Sequence, residues 1–80
     1  MDIDLMPIAD LGLAASLVTL NFKIIETSRD NRGRLSFIFN HSKTLDKAIA
    51  EYWSNSLEVP ARQYFDNTKM LKSRIYSEGQ

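Results

Sequence analysis

Phe22-Lys23-Ile24-Ile25-Glu26-Thr27-Ser28-Arg29 and Arg34-Leu35-Ser36-Phe37-Ile38-Phe39-Asn40, joined by Asp30-Asn31-Arg32-Gly33, decide the fold. Both runs are rich in β-branched or aromatic residues, and Leu35, Phe37 and Phe39 alternate with Ser36 and Ile38. The joining residues are turn formers, and Gly33 tolerates a positive φ. The pattern predicts a β-hairpin. With Arg29 opposite Arg34, Ile24 faces Phe39 and Ile25 faces Ile38. Phe22, Ile24, Leu35, Phe37 and Phe39 then share the core face. Lys23, Ile25, Thr27, Ser36 and Ile38 share the other. A slip of one residue would turn the aromatic set to solvent, so the register is specified.

Downstream, Ser42 or Thr44 can cap a helix with Asp46 in its first turn. Leu45, Ala48, Ile49, Tyr52 and Trp53 follow the i, i+3, i+4, i+7, i+8 pattern. Lys43, Asp46, Lys47, Ala50 and Glu51 make its wet face. Ser54-Asn55-Ser56 ends it. Leu57-Glu58-Val59 alternates before Pro60, which holds Val59 extended, so a short third strand or a spacer is expected there. Pro60 suits the start of a third helix. Ala61, Tyr64, Phe65, Thr68, Leu71 and Ile75 form its apolar stripe. Lys69, Lys72 and Arg74 are read as cations complementing its C-terminal dipole.

Upstream, Asp10 is a good N-cap for Leu11 to Leu20, a helix with a narrow polar stripe of Gly12, Ser16 and Thr19. Ala14, Ala15 and Ser16 are small enough to let another element approach closely. Asn21 suits a left-handed cap. Residues 1–8 lack periodicity and read as an N-terminal extension, 9–76 as a single domain, and 77–80 as a tail.

The chain has 80 residues, ten Lys+Arg, ten Asp+Glu, one His and no Cys. Absent cysteines exclude a disulfide framework and every Cys-ligated metal site. The first twenty residues hold three acids and no base, so the remaining sixty carry ten bases against seven acids. The acidic start contrasts with the basic start of a signal peptide, and the longest apolar run is about half a membrane span. A soluble cytoplasmic protein with no membrane contact is expected.

The segment Ala9-Asp10-Leu11-Gly12-Leu13-Ala14-Ala15, then Phe37-Ile38-Phe39, Tyr52-Trp53, Val59, Phe65 and Leu71-Lys72 occur in an order and spacing that resemble a family of small domains. That family, of bacteria, archaea and their phages and plasmids, is catalogued as a domain of unknown function. The resemblance spans about residues 8–76 and implies one compact domain. It carries no catalytic residue across. Asn21 stands where similar proteins more often have Gly, a replacement compatible with the cap.

The chemistry-bearing residues are sparse. His41 is the sole histidine, and beside Ser42 it suggests a nucleophile and base that would still need a third group. A capping place at a strand–helix junction is the plainer reading. Glu26 is the sole acid inside a strand and is placed at the sheet margin beside a base. Three scattered glycines make no phosphate loop. Tyr52 and Trp53 could form an aromatic platform, but their helical spacing assigns them to the core. No metal, cofactor or catalytic residue is expected, and the chain is read as a non-enzyme.

Two surfaces stand out. Arg29, Arg32 and Arg34 ring the hairpin tip, where a basic turn can contact phosphate or nucleic acid. Ile25 and Ile38 add apolar surface to the second sheet face, where a second copy or another protein would cover them. The expected fold is α+β, in the order α-β-β-α-(short strand)-α, with an antiparallel hairpin packed against three helices. Its expected core is Leu13, Leu17, Leu20, Phe22, Ile24, Leu35, Phe37, Phe39, Leu45, Ile49, Trp53, Tyr64, Phe65, Leu71 and Ile75. The expected function is a non-catalytic interaction or regulatory module, acting through protein contacts or as a homodimer. A nucleic-acid accessory protein using the arginine tip is the alternative.

Overall fold

The computed structural model describes residues 4–78, so residues 1–3 of the expected extension and 79–80 of the expected tail lie outside the described residues. Its elements are β1 (Leu5–Ile8), α1 (Leu11–Thr19), β2 (Ile24–Arg29), β3 (Leu35–Asn40), α2 (Lys43–Trp53) and α3 (Ala61–Glu78). The class is α+β. Three particulars of the elements differ from the expectation. Leu5-Met6-Pro7-Ile8 is a strand rather than an extension, and Leu57–Val59 is not one. The helix also runs on through Ser77 and Glu78, so these residues are not a frayed tail.

The sheet order is β1-β3-β2, with both pairings antiparallel. The central strand β3 has two edges, and β1 and β2 take both. That leaves no place for a strand at Leu57–Val59. Instead Ser56 and Leu57 donate their N–H groups to the Glu51 carbonyl at the end of α2 (2.8 and 3.1 Å). Pro7 lacks a donor and is tolerated because β1 is an edge strand.

The hairpin register holds only at one end. Ile24 faces Phe39 as expected, but Arg29 faces Leu35 and Glu26 faces Ile38. A β-bulge at Ile25 absorbs the one-residue difference. The tip loop is therefore one residue longer, Asp30 to Arg34, with Gly33 at φ 82°. Thr27 consequently moves to the core face opposite Phe37.

All three helices cover one face of the sheet. Leu13, Ala14, Ala15 and Leu17 of α1, Leu45 and Ala48 of α2 and Leu71 of α3 are buried together with Ile8, Leu35, Phe37 and Phe39. The molecule measures 36 × 35 × 19 Å, the thickness of two layers. Leu20, Phe22, Ile24, Ile49, Tyr64 and Ile75 pack partly buried at the margin of this core. Trp53 and Phe65 do not belong to it: they are 63% and 59% exposed. Trp53 sits on the last turn of α2, and Phe65 lies about 100° around α3 from Tyr64, which takes the inward place.

The caps are local and match their residues. Leu13 N–H donates to Asp10 Oδ1 (2.9 Å), and Leu45 N–H to Ser42 Oγ (3.0 Å). α1 ends in Asn21 at φ 74°, with Phe22 N–H bonded to the Leu17 carbonyl and Asn21 N–H to that of Val18. α2 ends the same way on Asn55 at φ 62°. Both are Schellman terminations in which Asn stands for the usual Gly. The polar stripe of α1 is buried: Ser16 and Thr19 return their hydroxyls to the carbonyls of Gly12 and Ala15 (2.9 and 2.7 Å).

Candidate functional site

The hairpin tip is built by Asp30. Its Oδ1 accepts from the N–H groups of Arg32 and Arg34, both at 2.9 Å. These bonds, Arg34 first, hold its carboxyl below the usual carboxylate range, aided by the charges of Arg34 and Arg29. The three arginines do not act alike. Arg29 faces the core side of the tip and donates to the Gly33 carbonyl and, at 3.3 Å, to the Ile75 carbonyl of α3. It fastens the tip to α3. Arg32 and Arg34 are exposed, and no carboxylate among the described residues forms an ion pair with either guanidinium.

Among the described residues, the helices that line the core do so on the face of Phe37 and Phe39, and Ile38 on the second sheet face lies outside that core. Ile38 lies at the centre of that second face, flanked in register by Pro7 and Glu26. Ile25 in the bulge and Leu5 on β1 are each 47% exposed beside it. Ile38 is only 7% exposed and stays outside the helix-packed core. The expected pair thus divides: Ile25 is accessible, whereas Ile38 is the floor of the patch. Leu5 and Pro7 join it because β1 is a strand, which the sequence reading missed.

His41 lies where β3 meets α2. Its Nε2 is 2.8 Å from Asp46 Oδ2, and the Ser42 hydroxyl caps α2 instead of meeting the imidazole. Asp46 supplies the missing third group of a triad reading, but no hydrogen bond joins His41 to Ser42 among the described residues. Glu26 is exposed on the open face and forms no ion pair among the described residues, contrary to the expected pairing with a base. No group of three or more His, Asp or Glu gathers among the described residues as metal ligands.

Tyr52 and Tyr64 meet α1 at Gly12, where a Cβ would collide with the Tyr52 hydroxyl. Tyr52 also makes a long 3.5 Å hydrogen bond to Asp10 Oδ1. Burial, then the Asp10 charge, raises the Tyr52 phenol above its usual value. Tyr52 is therefore a helix-junction residue, and the exposed Trp53 meets its ring edge-on, with centroids 5.0 Å apart. A surface groove of about 500 Å³ is lined by Leu20, Phe22, Lys47, Ala48, Glu51 and Leu57.

The fold and these surfaces define a small two-layer α+β domain with one sheet face left bare. The chain belongs to a family described as a domain of unknown function (DUF5659), whose model matches residues 4–77. No curated protein and no solved structure matches it. Among the described residues, no helix is long and apolar enough to cross a membrane.

Proposed function

We propose that this domain is a non-catalytic interaction module that self-associates through its bare sheet face. The observation supporting this is the apolar cluster formed by Pro7 and Ile38, paired in register, with Leu5 diagonal to them and Ile25 in the bulge beside Glu26, the charged member of the row. Large side chains left half-exposed in a cluster lower their free energy when another surface covers them. The polar residues Ser28, Ser36 and Asn40 border the row, as at the rim of an interface. Face-to-face packing is favoured over edge pairing, because Pro7 and the Ile25 bulge guard the two edges. A homodimer would make the contact isologous. A cytoplasmic place accords with a cysteine-free chain.

Sedimentation equilibrium at micromolar concentration tests this. A dimer that becomes monomeric in a Leu5→Glu, Ile25→Glu variant supports it. A strict monomer at every concentration overturns self-association.

A second reading, nucleic-acid binding through the tip, is favoured by the exposed Arg32 and Arg34. Asp30 accepts from their backbone N–H groups and forms no ion pair with either guanidinium among the described residues, although its charge acts on Arg34. Gel shift at low salt with an Arg32→Ala, Arg34→Ala variant tests it, and unchanged affinity would remove the tip from the reading.

A further inference from the structure

α3 has an outward face that its packing does not explain. At 100° per residue, Arg62, Phe65, Lys69, Lys72 and Tyr76 fall within one stripe about 80° wide. It lies away from Tyr64, Leu71 and Ile75, which face the core. Phe65 is 59% and Tyr76 67% exposed, and all three cations are exposed. No carboxylate among the described residues pairs with Arg62, Lys69 or Lys72. Asp66 lies about 40° beyond the edge of the stripe, one turn from Arg62, and forms no ion pair with its cations among the described residues.

The helix dipole does not account for these cations. It acts within the last turn. α3 runs to Glu78, so Lys69 and Lys72 stand well before its end, and its last turn holds no base. Nor do the rings serve the core, since Leu71 and Tyr64 fill that side. The Lys69 ammonium lies 4.8 Å from the Phe65 ring centroid, so the charge is held beside the ring rather than dispersed.

We propose that this stripe binds single-stranded nucleic acid, with Phe65 and Tyr76 stacking on unpaired bases and Arg62, Lys69 and Lys72 contacting phosphates. An exposed ring flanked by cations is the combination that an unpaired strand needs, since each base has a face to stack and each link a charge. A duplex hides its base faces and would meet only the cations. The eleven residue steps from Phe65 to Tyr76 span about 16 Å of helix, several times the roughly 3.4 Å of a stacked base step. The two rings therefore take bases separated along the strand, and Lys69 and Lys72 sit over the phosphates between them. An anionic membrane fits less well, because an interfacial helix sinks a continuous apolar face, and that face of α3 is packed on α1. Arg29, bound to the Ile75 carbonyl, brings the hairpin tip against the same end of α3. The stripe is independent of the bare sheet face and of Arg32 and Arg34.

The test measures binding of the full chain to a labelled single-stranded DNA of about 20 nucleotides, to its duplex, and to vesicles with an anionic phospholipid. Single-strand binding stronger than duplex binding is expected. Phe65→Ala and Tyr76→Ala should each weaken it about tenfold. Lys69→Gln and Lys72→Gln should each lower the magnitude of the salt slope by about 0.7. Circular dichroism should show all four variants folded, because each changed side chain is exposed. The Arg32→Ala, Arg34→Ala variant should keep the loss caused by Phe65→Ala, which separates the stripe from the tip. No single-strand binding at low salt, binding indifferent to both rings, or binding to vesicles alone overturns the proposal.

Discussion

α1 and α3 pack side by side yet are built in opposite ways. α1 has nine residues and no charge, and most of its side chains are buried. α3 has eighteen residues, and among those described Leu71 alone is fully buried. The difference follows from position. α1 connects β1 to β2 and is packed against β1, α2 and α3, so even Ser16 and Thr19 must satisfy their hydroxyls internally. α3 meets neighbours on one side only, and its other side is free to carry rings and cations. Stability is therefore concentrated in the shorter helix and accessible chemistry in the longer one.

The sharpest way to break this contrast is a pair of truncations. Leu17→Ala, at a fully buried position, should cost about 2–5 kcal/mol in urea unfolding. Phe65→Ala should stay within about 0.5 kcal/mol, as exposed substitutions do. Equal losses would place Phe65 in the core after all.

The end of α1 comes next. Asn21 holds a positive φ, so Asn21→Ala should cost about 1–2 kcal/mol, whereas Asn21→Gly should be neutral or stabilising. Thermal melts of the two variants compare them directly. A smaller effect is expected where the two helices touch. Asn67 Nδ2 donates to Thr19 Oγ1 at 2.9 Å, a polar bond between them. Asn67→Ala should lose about 1 kcal/mol, and a double-mutant cycle with Thr19→Val measures the coupling.

The smallest effect is a pH dependence at the tip docked on α3. The folded state lowers the Asp30 carboxyl below its ordinary value, so its contribution is present above about pH 4 and is lost as pH falls through the lowered folded value. NMR titration should show Asp30 protonating at a lower pH than an unfolded-chain aspartate, with the Gly33 amide and the Ile75 signals moving together. An Asp30 that titrates at the ordinary value would sever this link.

Short-range features were legible in the amino-acid order. Asp10, Ser42, Asn21 and Gly33 hold their expected conformations, because a cap or a turn is decided within a few residues. The family resemblance was legible too, and the matched family model covers residues 4–77. The arginines at the tip and Ile25 on the second face were singled out from the pattern alone. Phe65, Lys69 and Lys72 were each noticed but assigned to the core or to the helix dipole. Their helical positions could have separated Phe65 from Tyr64, had the apolar stripe been drawn narrower.

What the sequence alone determined is the existence and order of α1, the hairpin, α2 and α3, with the caps Asp10 and Ser42 and the stop at Asn21. Tertiary structure decided the rest. β1 is four residues with a proline, too short and poorly patterned to declare itself, and it exists through its ladder with β3. The Ile25 bulge reconciles an aromatic strand with a five-residue tip, a fit made between two strands. The exposure of Trp53 and Phe65 depends on which neighbours are absent beside them, and periodicity counts residues along one helix without knowing what stands next to it.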